Sequence, residues 1–113
     1  MAHFELEHRH DIGLDRITWG RDYPHLEGTW PHTKEALRAT FSDLPPSEVR
    51  TILGDSAIAC YQLDREALAK VASTVGPEPS EIAQPLEATP DDAWSWAFRD
   101  RPDAKGGARI GTY

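Results

Sequence analysis

Cysteine is nearly absent: Cys60 is the one thiol in 113 residues. A single thiol excludes an internal disulfide framework and suits a reducing compartment, so the cytoplasm is the expected location. Cys60 lies in an apolar stretch, Ala57 to Tyr61, where a buried and inert thiol is expected. Long apolar runs are missing as well, which excludes a membrane span. The N-terminus, Met1 to Glu7, has neither the basic lead nor the apolar stretch of a signal peptide. Basic charge is in deficit, with 12 Lys and Arg against 19 Asp and Glu and a formal net charge of −7. That excludes the basic surface needed to bind nucleic acid or an anionic membrane. Many of the acids fall in Asp43 to Glu48 and Glu78 to Asp92, and these runs read as solvated surface.

Turn-forming residues are plentiful. Nine prolines and eight glycines interrupt an apolar fraction of only 39%, which predicts short helices joined by turns, with part of the chain poorly ordered. The length allows one domain at most.

The first dozen residues suit a helix carrying Phe4, Leu6 and Ile12, with Gly13 as its stop. The most strand-like stretch follows, about residues 15–20, because Ile17, Thr18 and Trp19 are β-branched or aromatic. After a polar loop, a helix is expected from Trp30 or Pro31, capped by Thr29, with Leu37, Phe41 and Leu44 on one face. Pro45-Pro46 breaks it. A short helix from Ser47 to Leu53 is expected to end at Gly54, and another runs from about Ser56 to Tyr61. Asp64 then caps a helix bearing Leu68, Val71, Ala72 and Val75, stopped by Gly76-Pro77. Beyond it the chain reads as an extended, proline-rich segment with a turn of helix near Ser80 to Ala83. Its Trp94, Trp96 and Phe98 read as an anchor onto a larger body, and the Gly-rich end from Arg99 reads as flexible.

A lone strand is a physical anomaly, since it leaves unpaired N–H and C=O groups along both edges. Either the stretch is not a strand, or its neighbours lie on sequence outside these residues.

The chemistry-bearing segment is Arg16-Ile-Thr-Trp-Gly-Arg-Asp22-Tyr-Pro-His25, continuing through Gly28-Thr-Trp-Pro-His32. A strand ending in glycine, then a carboxylate, then a loop opening into a helix is the strand-to-helix corner of a (β/α) barrel, where catalytic residues sit. A carboxylate fixed there can bind a divalent metal or take a proton from a metal-bound water. Asp before an aromatic-Pro pair is also a common turn former.

These residues resemble the last barrel strand and following loop of the amidohydrolase-related metal-dependent hydrolases, in the branch of aminocarboxymuconate-semialdehyde decarboxylase-like enzymes. The resemblance continues through Leu44-Pro-Pro-Ser-Glu-Val-Arg-Thr-Ile-Leu-Gly54, Asp55-Ser-Ala57 and Tyr61 to the Asp64 helix. It extends into Val75-Gly-Pro77, Gln84-Pro-Leu86 and Ala93-Trp94. It implies an α/β fragment, mostly α by content: the last strand and helix of a TIM barrel, then short helices and an extended tail. The implied organisation is 1–76 as barrel portion, 77–98 as extension and 99–113 as flexible tail.

The family resemblance further implies a divalent metal, zinc by expectation, in the complete barrel. Asp22 would be its last-strand ligand and the proton acceptor, in a hydrolase or a lyase acting on a small molecule. His25 and His32, in the loop facing the barrel mouth, would touch substrate or support the ligands. The other ligands have no counterparts here, and the partner would be the missing barrel portion or a homologous subunit. His8-Arg9-His10 has His-x-His spacing, but residues two apart on a helix face different directions, so it reads as a solvated face. Ser56 stands where family members commonly carry Asn, and it can still cap a helix. Because Met1 falls within what would be an internal helix, a truncated or split reading frame is expected. For the chain alone the reading expects loose structure and no stoichiometric zinc. Two other readings remain: a non-catalytic helical module docking on a related barrel subunit through its tryptophans, and a degenerate remnant without a stable fold.

Overall fold

The computed structural model describes residues 1–104. A 3-10 turn, His3–His8, runs into a short helix α1, Arg9–Ile12, which ends at Gly13 with φ of 100°. Leu14–Arg16 forms a second 3-10 turn. Four further helical pieces are α2 (Thr33–Phe41), α3 (Pro46–Arg50), α4 (Ser56–Tyr61) and α5 (Arg65–Val75). A short α6 (Pro79–Ile82) and a 3-10 turn, Trp96–Phe98, complete the set.

The strand expected at 15–20 is absent. Leu14–Arg16 is helical, and Ile17 is extended, with φ of −105° and ψ of 128°. No strand occurs among the described residues, because nothing there lies alongside Ile17 to Gly20 to form a ladder. The segment is tied down by other bonds instead. The Trp19 amide donates to the Ile52 carbonyl at 3.3 Å, and the Ser56 hydroxyl donates to the Leu14 carbonyl at 3.0 Å.

Both of those partners lie on the helix from Pro46 to Tyr61. Gly54 was expected to end a helix, yet the backbone continues through it: Thr51–Asp55 is a π-helical turn joining α3 to α4. There the Ser56 amide donates to the Thr51 carbonyl, five residues back. Ser56 is therefore inside a helix and not a cap, and it is 2% exposed. Cys60, expected to be buried, is exposed, because it lies on the outer side of α4.

Two clusters hold the described chain together, one on each side of α2. Leu37 and Phe41 join Leu6, Leu44, Ile52 and Ile82, with Trp19 and Ile17 packed at the margin. All three residues expected on one face, Leu37, Phe41 and Leu44, thus meet the core, although the helix ends at Phe41 and Leu44 follows it. The helix starts two or three residues later than expected, at Thr33, with His32 and not Thr29 at its N-cap; the Thr29 hydroxyl lies 3.1 Å from that of Thr33. On the other side, Ala36 meets Ala93, Ala97, Phe98 and Ala104. Small side chains let the C-terminal segment lie close to α2, and Phe98 is completely buried. Burying a side chain of that size contributes about 1.5–3 kcal/mol.

Polar bonds fasten the same segment. Lys34 pairs with Glu81 at 2.8 Å, and Arg38 donates to the Gln84 and Pro85 carbonyls. Asp103 accepts from the amide and hydroxyl of Thr89 and from Arg101. Arg99 lies between the rings of Phe4 and Trp96, 4.7 and 5.1 Å from their centroids, and pairs with Glu5 at 3.0 Å. Of the stretch read as a flexible tail, the part up to Ala104 makes these contacts, and the remainder lies outside the described residues.

Helix α5 differs from the rest. Asp64 caps it as expected, accepting from the amides of Glu66 and Ala67, both at 3.0 Å. None of its residues is buried, and Leu68, Val71 and Val75 are exposed along one side. Arg65, bonded to Asp55, ties its first turn to α4; with Arg50 it holds the Asp55 carboxyl below its ordinary range.

Candidate functional site

The loop between the extended segment and α2 folds on its own backbone. The Thr29 amide donates to the Arg21 carbonyl at 3.0 Å, the His25 amide to the Asp22 carbonyl at 2.9 Å, and the Gly28 amide to the His25 carbonyl at 3.1 Å. Three carbonyl oxygens therefore converge on Gly28. A Cβ there would stand 2.7 Å from the Asp22 oxygen and 2.9 Å from those of Arg21 and His25, so the loop requires glycine. The Tyr23-Pro24 and Trp30-Pro31 peptides are cis. Tyr23 and Trp30 pack edge to face with centroids 5.8 Å apart, and the Arg21 guanidinium lies over the Tyr23 ring, 5.3 Å from its centroid.

Asp22 occupies the left-handed region, with φ of 57°. Asp and Asn visit that region more readily than other residues with a Cβ, because a short polar side chain bonds locally. Here the local partner is His25, whose Nδ1 lies 2.9 Å from Asp22 Oδ1. An ionised carboxylate can only accept, so Nδ1 donates and the tautomer of the neutral ring is fixed. His32 has an equivalent arrangement with a distant partner: its Nε2 lies 2.8 Å from Oδ1 of Asp92, 60 residues on.

The two imidazoles line one cavity of about 220 Å³, with Pro24, Trp30, Trp94 and Phe98 among its other walls. Asp22 is not among the lining residues; it sits behind His25, with its side chain 54% exposed. Of the three residues singled out from sequence, the structure brings His25 and His32 to one cavity and places Asp22 one contact away. Sequence reasoning missed Asp92 and Trp94. Trp94 belonged to an aromatic cluster read as an anchor, and Asp92 was one acid in a solvated run. Phe98 is the member that anchors, while Trp94 and Trp96 stay partly exposed.

The donors present make up part of a metal site only. Asp22 and His25 are one carboxylate and one imidazole, and no group of three His, Cys, Asp or Glu arranged to hold a metal occurs among the described residues. Zinc takes three or four protein ligands, so these residues alone do not complete its shell.

Residues 9–63 match the model of the amidohydrolase family. The matched stretch, just under half of the 113 residues, runs from α1 through Asp22, His25 and His32 to the end of α4. It supports an amidohydrolase-related segment, as the resemblance implied, and leaves the C-terminal wall of the cavity outside the match. No curated protein and no solved structure matches the chain. No helix among the described residues is long and apolar enough to cross a membrane.

Proposed function

We propose that this chain is the C-terminal segment of a metal-dependent amidohydrolase-type enzyme of the aminocarboxymuconate-semialdehyde decarboxylase-like branch. In this reading it acts in the cytoplasm and supplies Asp22 to a site completed by sequence outside these residues. The observation that carries the reading is the Asp22 loop inside the family-matched stretch. Gly28 and three backbone hydrogen bonds hold it, and the carboxylate is accessible at its surface. A bound divalent metal, zinc by expectation, would supply Lewis acidity and an activated water to a small-molecule substrate. Asp22 contributes an anionic oxygen donor and a base for one proton, and His25 orients that carboxylate through Nδ1. In this reading Ile17 to Gly20 is the inner strand of a barrel whose neighbours are supplied by the partner portion. Its exposed Thr18 and Gly20 offer the edge such a neighbour would pair with.

The test is co-expression with a barrel portion carrying the remaining ligands, followed by metal analysis and turnover. Asp22→Asn keeps a residue that tolerates the left-handed backbone, so it removes charge without disturbing the loop. Turnover should disappear while the complex still forms. Near-wild-type turnover with Asn at this position would refute the assigned role.

A second reading is favoured by one observation, the wholly exposed helix α5. An isolated helix of this length is marginal in water, and its Leu68, Val71 and Val75 side calls for cover. In that reading the chain is a non-catalytic module docking on a barrel subunit. Leu68→Ser with Val71→Ser would then break the complex, whereas Asp22→Asn would leave its biological effect intact.

A further inference from the structure

The cavity between His25, Trp30, His32 and Trp94 has a chemistry of its own, and five of its thirteen lining residues lie beyond the family-matched stretch. Its apolar sides are Pro24, Trp30, Trp94 and Phe98. At about 220 Å³ it suits a single ring, since a cavity of about 150 Å³ already holds benzene. Its hydroxyl groups have partners within the chain: that of Thr29 bonds that of Thr33, and that of Ser95 accepts from the Ala97 amide. Beside the indole N–H groups of Trp30 and Trp94, which can only donate, the imidazoles are its acceptors. Each donates one N–H to a carboxylate, His25 to Asp22 and His32 to Asp92. In the neutral ring the second nitrogen, Nε2 of His25 and Nδ1 of His32, then carries a lone pair and can only accept. The two aspartates and a net charge of −7 oppose an anion in this place.

We propose that this cavity binds a small neutral molecule with one aromatic ring and an O–H or N–H donor, and that Asp92 and Trp94 are part of the site. Trp94 supplies a ring face opposite the Asp22 loop. Asp92 is a positioning residue: it acts through His32, by fixing which nitrogen of that ring faces the ligand. The segment is held in place by the buried Phe98 and by the Trp96 amide, which donates to the Glu27 carbonyl at 3.3 Å. It is therefore a fixed wall. Nothing in the proposal requires Asp22 to hold a metal.

The experiment titrates the full chain, in buffer containing a chelator, with phenol, toluene and benzoate as probes. NMR follows the indole signals of Trp30 and Trp94 and the ring nitrogens of His25 and His32. Phenol should produce saturable shifts confined to these four residues, with toluene weaker and benzoate weakest. In the free chain at alkaline pH, His32 should carry its proton on Nε2 and His25 on Nδ1. Trp94→Ala should weaken phenol by roughly 3- to 10-fold, the range expected for one lost ring contact, and Trp94→Phe should restore most of it. Asp92→Asn should redistribute the His32 tautomers and weaken phenol while leaving toluene unchanged. If Trp94→Ala loses its dispersed spectrum, the Phe and Asn variants decide. Benzoate binding as tightly as phenol, shifts elsewhere on the surface, or an Asp92→Asn variant identical to wild type in tautomer and affinity would each overturn the proposal. Because metal is absent throughout, such a result would leave the assignment of Asp22 standing.

Discussion

The Ser56 hydroxyl donates to the carbonyl of Leu14 at 3.0 Å, joining the middle of a long helix to the 3-10 turn, 42 residues earlier, that leads into the extended run. The Leu14 carbonyl also accepts from the Ile17 amide at 3.3 Å, so removing the hydroxyl takes one of its two bonds and leaves the other. Ser56→Ala should destabilise the chain by about 0.5–1.5 kcal/mol, the usual net worth of one hydrogen bond. A lower urea midpoint with unchanged slope would register it; a midpoint within error of wild type would show that the carbonyl finds water.

Gly28 permits three carbonyls to meet at one point, and a methyl group there collides with all of them. The obstruction is backbone and cannot rotate away. Gly28→Ala should cost about 2 kcal/mol or more, in line with other forced overpacking. The same variant should separate His25 from Asp22. Loss of a single His25 tautomer in NMR, alongside the lower stability, is the expected pair of results; retention of both would mean that the loop refolds around the methyl.

Asp103 gives the C-terminal segment a dependence on pH. The Thr89 amide, followed by the Arg101 guanidinium and the Thr89 hydroxyl, hold its carboxyl far below the ordinary value of 3.8. Its stabilisation is therefore complete above that value and is lost as the pH falls through the depressed one. Asp103→Asn should lower the Tm at pH 6, and the gap to wild type should narrow as the solution is taken below about pH 4. An unchanged gap between pH 6 and pH 2 would dissociate the carboxylate from the stability of the segment.

Arg99 connects the two ends of the described chain by lying between Phe4 and Trp96 while pairing with Glu5. Arg99→Ala should cost about 1–2 kcal/mol, with each ring contact contributing about 0.5–1. Arg99→Lys should recover only part, because an ammonium group is not planar and cannot lie flat against two rings. Chemical denaturation of the three proteins in parallel orders them directly.

Much of the helical layout was legible in the sequence because local signals set it. Asp64 caps its helix as read, Pro46 opens α3, and Leu37 and Phe41 face the core from α2, while Leu44, also buried, lies past the end of that helix. The errors lie where distant partners decide. Ile17, Thr18 and Trp19 have strand chemistry, but a strand is defined by its neighbour, and the neighbour here is a helix carbonyl at Ile52. Gly54 looked like a stop, yet the backbone passes through it because Trp19 and Leu14 take up groups on either side of it in the sequence. Of the residues that line the cavity, His25 and His32 were singled out from the loop that carries them. Asp92 and Trp94 were not, since their place beside that loop depends on a return of the chain over 60 residues that no local pattern encodes.

The π-helical turn at Thr51–Asp55 means that this helix holds one residue more than a regular coil of its length would need. Deleting one residue there would leave a regular helix with its flanks on their present faces. Inserting one into the regular turn of α3 has no such outlet: everything after the insertion would swing by about 100° around the axis. Ser56 would then face a new direction, and the chain leading to Asp22 would lose its hold on the scaffold.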